Sequence, residues 1–266
     1  RPLIARGPSP PPLRALAFAG TMPRLLAGAP GTTALRSVDE LDLAPGRAER
    51  APLLAALDAL YRTSTRGVGE SGTRALAALE AVEAVRSRLA GRGPGAYPQT
   101  TFGRQLQAVE ALIGSEVGLE AVSVELGGWD THFGQGGLTG AMANLLGELA
   151  QGLAAFAAGL GPRFGDVTTV VLSEFGRRLA ENGSGGTDHG QAGAMLVLGG
   201  RVAGGRAAGT WPTLDASRLA PPGDLAITTD FRDVLLDVVA PASPEDLFPG
   251  HVPGPALGLV AGGAFA

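Results

Sequence analysis

The chain has 266 residues, 45% hydrophobic and 17% charged, which is enough apolar material for the core of an α/β domain and excludes a disordered chain. Its formal net charge of −4, with no basic block, excludes nucleic acid as a partner, because phosphate contacts need clustered cations. All 21 basic residues are Arg and there is no Cys, so Lys Schiff-base chemistry, thiolate nucleophiles, thiolate metal ligands and disulfides are excluded together.

Residues 1–36 are punctuated by Pro2, Pro8, Pro10, Pro11, Pro12 and Pro23 and read as irregular, with a short helix at Leu13–Phe18. Residues 1–30 hold no run approaching the ~20 apolar residues of a membrane span and no basic-then-apolar pattern of a signal peptide. Beginning on Arg1 rather than Met, the chain is expected to start partway into a longer precursor. Three helices follow. Ala48–Tyr61 carries Leu53, Leu54, Leu57, Leu60 and Tyr61 on one stripe, Ser71–Leu89 carries Leu76, Leu79, Val82 and Val85, and Phe102–Ile113 carries Leu106, Val109 and Leu112 with Gly114 as the stop.

The period then changes. Glu120–Leu126 alternates as a strand and runs into Gly127–Gly128. Leu138–Leu160 is a long Ala- and Leu-rich helix, and Val167–Leu172 is a β-branched strand suited to burial on both faces. Ala194–Leu198 is a further strand. Thr229–Val239 is amphipathic, with Phe231, Val234, Leu235, Val238 and Val239 opposite Asp230, Asp233 and Asp237. This order predicts a single α/β domain over residues 1–266 with a mainly parallel sheet, looser over 1–96, with its core at 97–248 and a tail at 249–266.

The chemistry gathers after the strands, where parallel sheets place function. Gly127-Gly128-Trp129-Asp130-Thr131-His132 follows the first strand and Ser173-Glu174-Phe175-Gly176-Arg177-Arg178 the second, and a glycine-rich loop delivers Gly186-Thr187-Asp188-His189-Gly190. Glycines beside each Asp/His pair would let the backbone turn both side chains toward one point. Carboxylate and imidazole donors suit Zn, Mn, Fe or Co better than Ca or Mg, and two Asp–His pairs are the ligand stock for two adjacent metals. Arg177 or Arg178 can hold a tetrahedral anion bidentately. Glu174 is open between ligand, partner to a His, general base, and ion pair with Arg177 or Arg178. The bland alternative for each Asp/His pair is turn capping. Trp129 reads as a packing residue, and His251 as a surface histidine with a late ligand role as its alternative.

These motifs, with VLGGRVAGG, GTWPTL, YPQTTFGRQLQAVEALI and TTDFRDVLLDVV, resemble the domain-of-unknown-function 1501 family from about Tyr97 to about Phe248, and FAGTMPRLLAGAP fits more loosely. The resemblance implies a bacterial protein of the alkaline phosphatase and sulfatase superfamily, with twin-arginine export to the periplasm or outside. It implies a three-layer sandwich whose N-terminal strand or strands lie upstream of this chain. It further implies that Asp130 and His132 hold one divalent transition metal, Zn or Mn, that Asp188 and His189 hold another, and that Glu174 and Arg177 belong to a family motif beside them. The substrate class would be a small phosphate or sulfate ester. An early metal-binding Asp and a Ser or Thr nucleophile have no match in residues 1–96, where Thr32, Thr33 and Ser37 qualify by residue type alone. The chain is therefore expected to hold about half of a site and to be inactive by itself. The rival expectation is an exported binding or scaffold protein that keeps the same core without catalysis.

Overall fold

The helix expected at Leu13–Phe18 does not form, and Ala15–Phe18 is a strand instead. In the computed structural model, which describes residues 11, 13–24, 26–29, 31–38, 47–64, 67–93, 95–241 and 243–261, β1 (Ala15–Phe18) lies between β2 (Thr32–Leu35) and β3 (Ala121–Val124) and runs parallel to both. Ala15 sits opposite Thr32 on one side and Ala121 on the other. Leu and Ala favour helices, but a run this short carries no period to separate the two structures. Burial decides: every residue from Ala15 to Phe18 is at most 1% exposed, as a central strand requires. Arg14 just before it is also buried, and its guanidinium meets Glu120 at 2.8 Å.

The chain divides into two compact units, one formed by the segment up to Leu126 with Gln151–Gly159, the other by Gly127–Ala150 and the chain from Leu160 onward. The first holds the β2-β1-β3 sheet and the helices α1 (Arg47–Thr63), α2 (Val68–Leu89) and α3 (Thr101–Gly114). As the spacing predicts, α2 buries Leu76, Leu79, Val82 and Val85, and α3 buries Leu106, Val109 and Leu112 and ends at Gly114. Thr100 caps α3 by accepting from the Gly103 N–H. The stripe on α1 is less covered than its period suggests, for Leu53 and Leu60 stay exposed. From α4 (Ala141–Leu160) this unit takes Gln151–Gly159, with Ala155 and Phe156 buried.

The second unit departs from the expected parallel sheet. β4 (Thr168–Val171) pairs antiparallel with β7 (Leu196–Gly199), and β5 (Gly176–Glu181) pairs antiparallel with β6 (Thr187–Gly190). Among the described residues, parallel pairing is confined to β1–β3. β4 is half-buried rather than sealed on both faces, since β-branched composition encodes a strand but not its direction or its cover. The second Asp/His pair, expected in a loop, lies in β6; hairpin pairing overrides the weak β-propensity of Asp and Gly there.

Past these strands, α5 (Phe231–Val239) uses its acidic face instead of leaving it to solvent. Asp230 caps the helix by accepting from the Arg232 N–H at 2.9 Å, Asp233 accepts from Gly254 N–H and pairs with His251, and Asp237 accepts from the Leu259 N–H. His251 is thus not a surface residue. Its side chain is 6% exposed, with Nε2 2.7 Å from Asp233 and the Phe248 ring edge-on at 6.3 Å. The sequence could not show this, because its partner lies 18 residues away on the helix. α6 (Pro244–Leu247) is a single turn capped by Ser243. No helix among the described residues is long and apolar enough to cross a membrane.

The Asp230 cap carries a pH signature. Its bonds to Arg232 hold the Asp230 carboxyl at a pKa of about 2, below an unfolded value of about 3.9. A depressed folded pKa means that this stabilisation is complete above the unfolded value and is lost as pH falls through about 2. Asp230→Ala is expected to cost about 1 kcal/mol at neutral pH, whereas Asp230→Asn keeps the cap but loses the ion pair with Arg232 and, with it, the pH dependence. Urea denaturation of both variants at pH 7 and pH 3 measures each part.

Candidate metal centre

The turn between β5 and β6 is built on Asn182. Its Oδ1 accepts from the backbone N–H groups of Ser184 and Gly186 at 2.9 and 3.1 Å, which closes the turn through Gly185 at φ 68. Its Nδ2 donates to the His132 carbonyl and to Asp188 Oδ1, both at 3.0 Å. The segment after Trp129 lies along this turn. Gly134 N–H donates to Ser184 and Gln135 N–H to Gly185, and Gln135 Oε1 accepts from the hydroxyls of Thr131 and Thr187 at 2.9 and 2.7 Å. Contact is closest at Gly186, where a Cβ would overlap the carbonyls of Thr131 and His132. Only glycine allows the two backbones to meet there.

This scaffold regroups the predicted ligands. His189 Nε2 lies 2.6 Å and His132 Nε2 3.0 Å from the same atom, Asp130 Oδ1, and one donor atom from each of the three residues falls within 4.8 Å of the others. Asp188 does not join that group through a donor of its own; its Oδ1 lies 3.1 Å from the other ring nitrogen of His132, Nδ1. The neighbours Asp188 and His189 therefore reach different atoms, as adjacent residues of a strand do. The His189 ring stacks on Phe175 at 4.1 Å and on His132 at 4.8 Å.

Charge follows this geometry. The hydrogen bond from His189 holds the Asp130 carboxyl below the usual carboxylate range, helped by the positive charge of Arg177. Asn182 first and His132 second do the same for Asp188. Both carboxyls stay ionised to lower pH than free ones, the state in which they ligate.

The donor set fits a transition metal. One carboxylate and two imidazoles match the three protein ligands of catalytic zinc sites, which leave a fourth position open. Tetrahedral bonds of about 2.0–2.1 Å place donors about 3.3 Å apart. The 3.0 Å pair is close to that, the 2.6 Å pair would open by about 0.7 Å, and the third pair, His132 with His189, lies within 4.8 Å and would close to the same spacing. Asp188 on His132 Nδ1 would serve as the outer carboxylate that orients this imidazole with Nε2 toward a bound ion.

A family model described as "Protein of unknown function (DUF1501)" matches residues 25–231. The chain belongs to this family. No curated protein and no solved structure matches the chain. The DUF1501 match begins upstream of the motif-dense stretch that starts at Tyr97, and it takes in α1 and α2. Asp130, His132, Asp188 and His189 all fall inside it, and His251 falls outside.

Within this DUF1501 member the remaining candidates separate. Glu174 is exposed and makes no hydrogen bond or ion pair among the described residues, so the ion pair with Arg177 or Arg178 is not formed. Arg178 approaches the buried Asp224 at 3.6 Å. Arg177 donates to the carbonyls of Trp129 and Thr187. Trp129 is half-buried. Thr32 and Thr33 open β2 in the first unit, and the Thr32 hydroxyl donates to the Ala29 carbonyl. Asn182 and Gln135, which organise the centre, are not among the sequence candidates. Asn182-Gly183 is a turn signal that could have been read, while Gln135 had none.

Proposed function

We propose that Asp130, His132 and His189 hold a divalent transition metal, Zn or Mn, in a metal-dependent hydrolase of phosphate or sulfate esters. The observation that carries this reading is the convergence of three donor atoms from two segments about 60 residues apart. When bound, the ion supplies Lewis-acid polarisation of an ester oxygen. Asp188 accepts from His132 Nδ1–H and leaves the Nε2 lone pair for ligation. Glu174 is the exposed, unpartnered carboxylate available to take a proton. Arg177 enters as a support for the ligands, since its terminal nitrogens are already engaged.

The choice of esters draws on the likeness of the motifs to the alkaline phosphatase and sulfatase superfamily. That likeness also carries the three-layer sandwich, an upstream segment with the nucleophile and further ligands, and export to the periplasm or outside. One observation favours the rival, non-catalytic reading: Thr131 and Thr187, the hydroxyls beside the centre, both donate to Gln135.

The natural gene product containing this chain decides between them. Turnover of 4-nitrophenyl phosphate or sulfate that is lost with a chelator and restored by Zn or Mn is the expected result. A metal-loaded protein that turns over neither ester supports the binding or scaffold reading.

A further inference from the structure

We propose that Arg177 is a positioning residue that ties the two ligand-bearing segments together through their backbones. Arg177 stands opposite His189 in the β5–β6 register, with its side chain 18% exposed. One terminal nitrogen donates to the Thr187 carbonyl and the other to the Trp129 carbonyl. Those two carbonyls belong to the peptide units that lead directly into Asp188 and Asp130. A peptide unit is planar, so pinning its oxygen fixes the plane from which the next residue's Cα departs. One guanidinium fork thereby sets where both aspartates start.

Two further contacts steady the fork. The guanidinium carbon lies 4.9 Å from the centroid of the Phe175 ring, the same ring that stacks on His189, and a terminal nitrogen lies 3.5 Å from Asp130 Oδ1. The Arg177 Nε is buried without a hydrogen-bond partner. Leaving a buried donor unmet is unfavourable, and such groups in native proteins call for an explanation other than stability. Lys cannot replace this arrangement, because a single ammonium does not reproduce a planar fork spanning two carbonyls. That the pinned aspartates serve a metal rests on the function proposed above; the cross-link itself does not.

The test is amide hydrogen exchange on metal-free protein, comparing wild type with Arg177→Lys, Arg177→Gln and the neighbouring Arg178→Gln. Loss of charge-assisted hydrogen bonds predicts exchange about tenfold faster or more across 129–135 and 182–189 in both Arg177 variants. Residues 231–239 should be unaffected in the Arg177 variants, and the Arg178 variant should leave both windows unchanged. Unchanged exchange in both windows overturns the proposal, and so does acceleration that extends equally to α5. In wild-type protein the guanidinium N–H groups should show slow exchange and through-bond coupling to the Trp129 and Thr187 carbonyls by NMR, and their absence is equally adverse should a variant fail to fold. Titration with Co(II), read in its visible band, is expected to show affinity about 10–100-fold weaker in Arg177→Lys. If the wild type binds no Co(II), the metal reading fails and the exchange data still decide the cross-link.

Discussion

Asp130→Ala is expected to abolish tight Zn(II) binding, while Asp188→Ala weakens it by only about 10–100-fold, the usual cost of losing a carboxylate that orients a ligating histidine. The asymmetry follows from the geometry. Asp130 Oδ1 is the atom on which both His132 and His189 converge, whereas Asp188 acts through the far nitrogen of His132. His189→Ala should behave as Asp130→Ala does. Both side chains are roughly half exposed, so the metal-free variants should keep their folded stability, as surface substitutions usually do. Competition with a chromophoric chelator measures the affinities and thermal unfolding the stability. Equal losses at Asp130 and Asp188 would instead support two separate Asp–His metal sites.

Gly186→Ala should damage the centre without touching a ligand. The added methyl would run into the carbonyls of Thr131 and His132, which are backbone atoms and cannot rotate away. Overpacking of this kind costs about 1–3 kcal/mol, and the relief available is to push the Asp130–His132 segment off the β5–β6 turn. Metal affinity should fall together with stability. Gly183→Ala, three residues earlier on the same turn, meets nothing within 4 Å and is expected to be neutral or slightly stabilising. Urea unfolding and Zn(II) titration of the pair give the contrast, and equal behaviour of the two variants would show that close approach at Gly186 is not what assembles the site.

Long periodic segments were legible from sequence. α2 and α3 lie where the spacing of Leu and Val placed them and α4 where its Ala- and Leu-rich run did, because ten or more residues suffice to separate a helix from a strand. Short segments were not. Leu13–Phe18 has helical composition, yet its Ala15–Phe18 part becomes a strand through burial between two neighbours from further along the chain. Gly176–Glu181 and Thr187–Gly190 lack alternation and hold a single β-forming residue, Thr187, so their hairpin is visible only through its pairing. The acidic face of α5 looked like a solvent face because the histidine and amides it engages arrive from beyond the helix.

For the site, residue types were legible and partnership was not. Both Asp/His pairs stood out by composition, yet grouping by adjacency joined Asp188 to His189 and Asp130 to His132. The hairpin instead passes His189 across to the first pair and turns Asp188 to the outer nitrogen of His132. Arg177 was legible by its fork as an anion binder, and the structure adds that each terminal nitrogen donates to a carbonyl of the same chain. Such cross-links depend on which backbone oxygens fold into reach, and no spacing rule encodes that.

Anomalous diffraction from crystals grown with Zn(II) tests for a single metal centre on Asp130, His132 and His189. One ion is expected, bonded to an Asp130 carboxylate oxygen and to Nε2 of both His132 and His189, with Asp188 still on His132 Nδ1. No ion at that point, or an ion held by Asp188 and His189 away from Asp130, would contradict it.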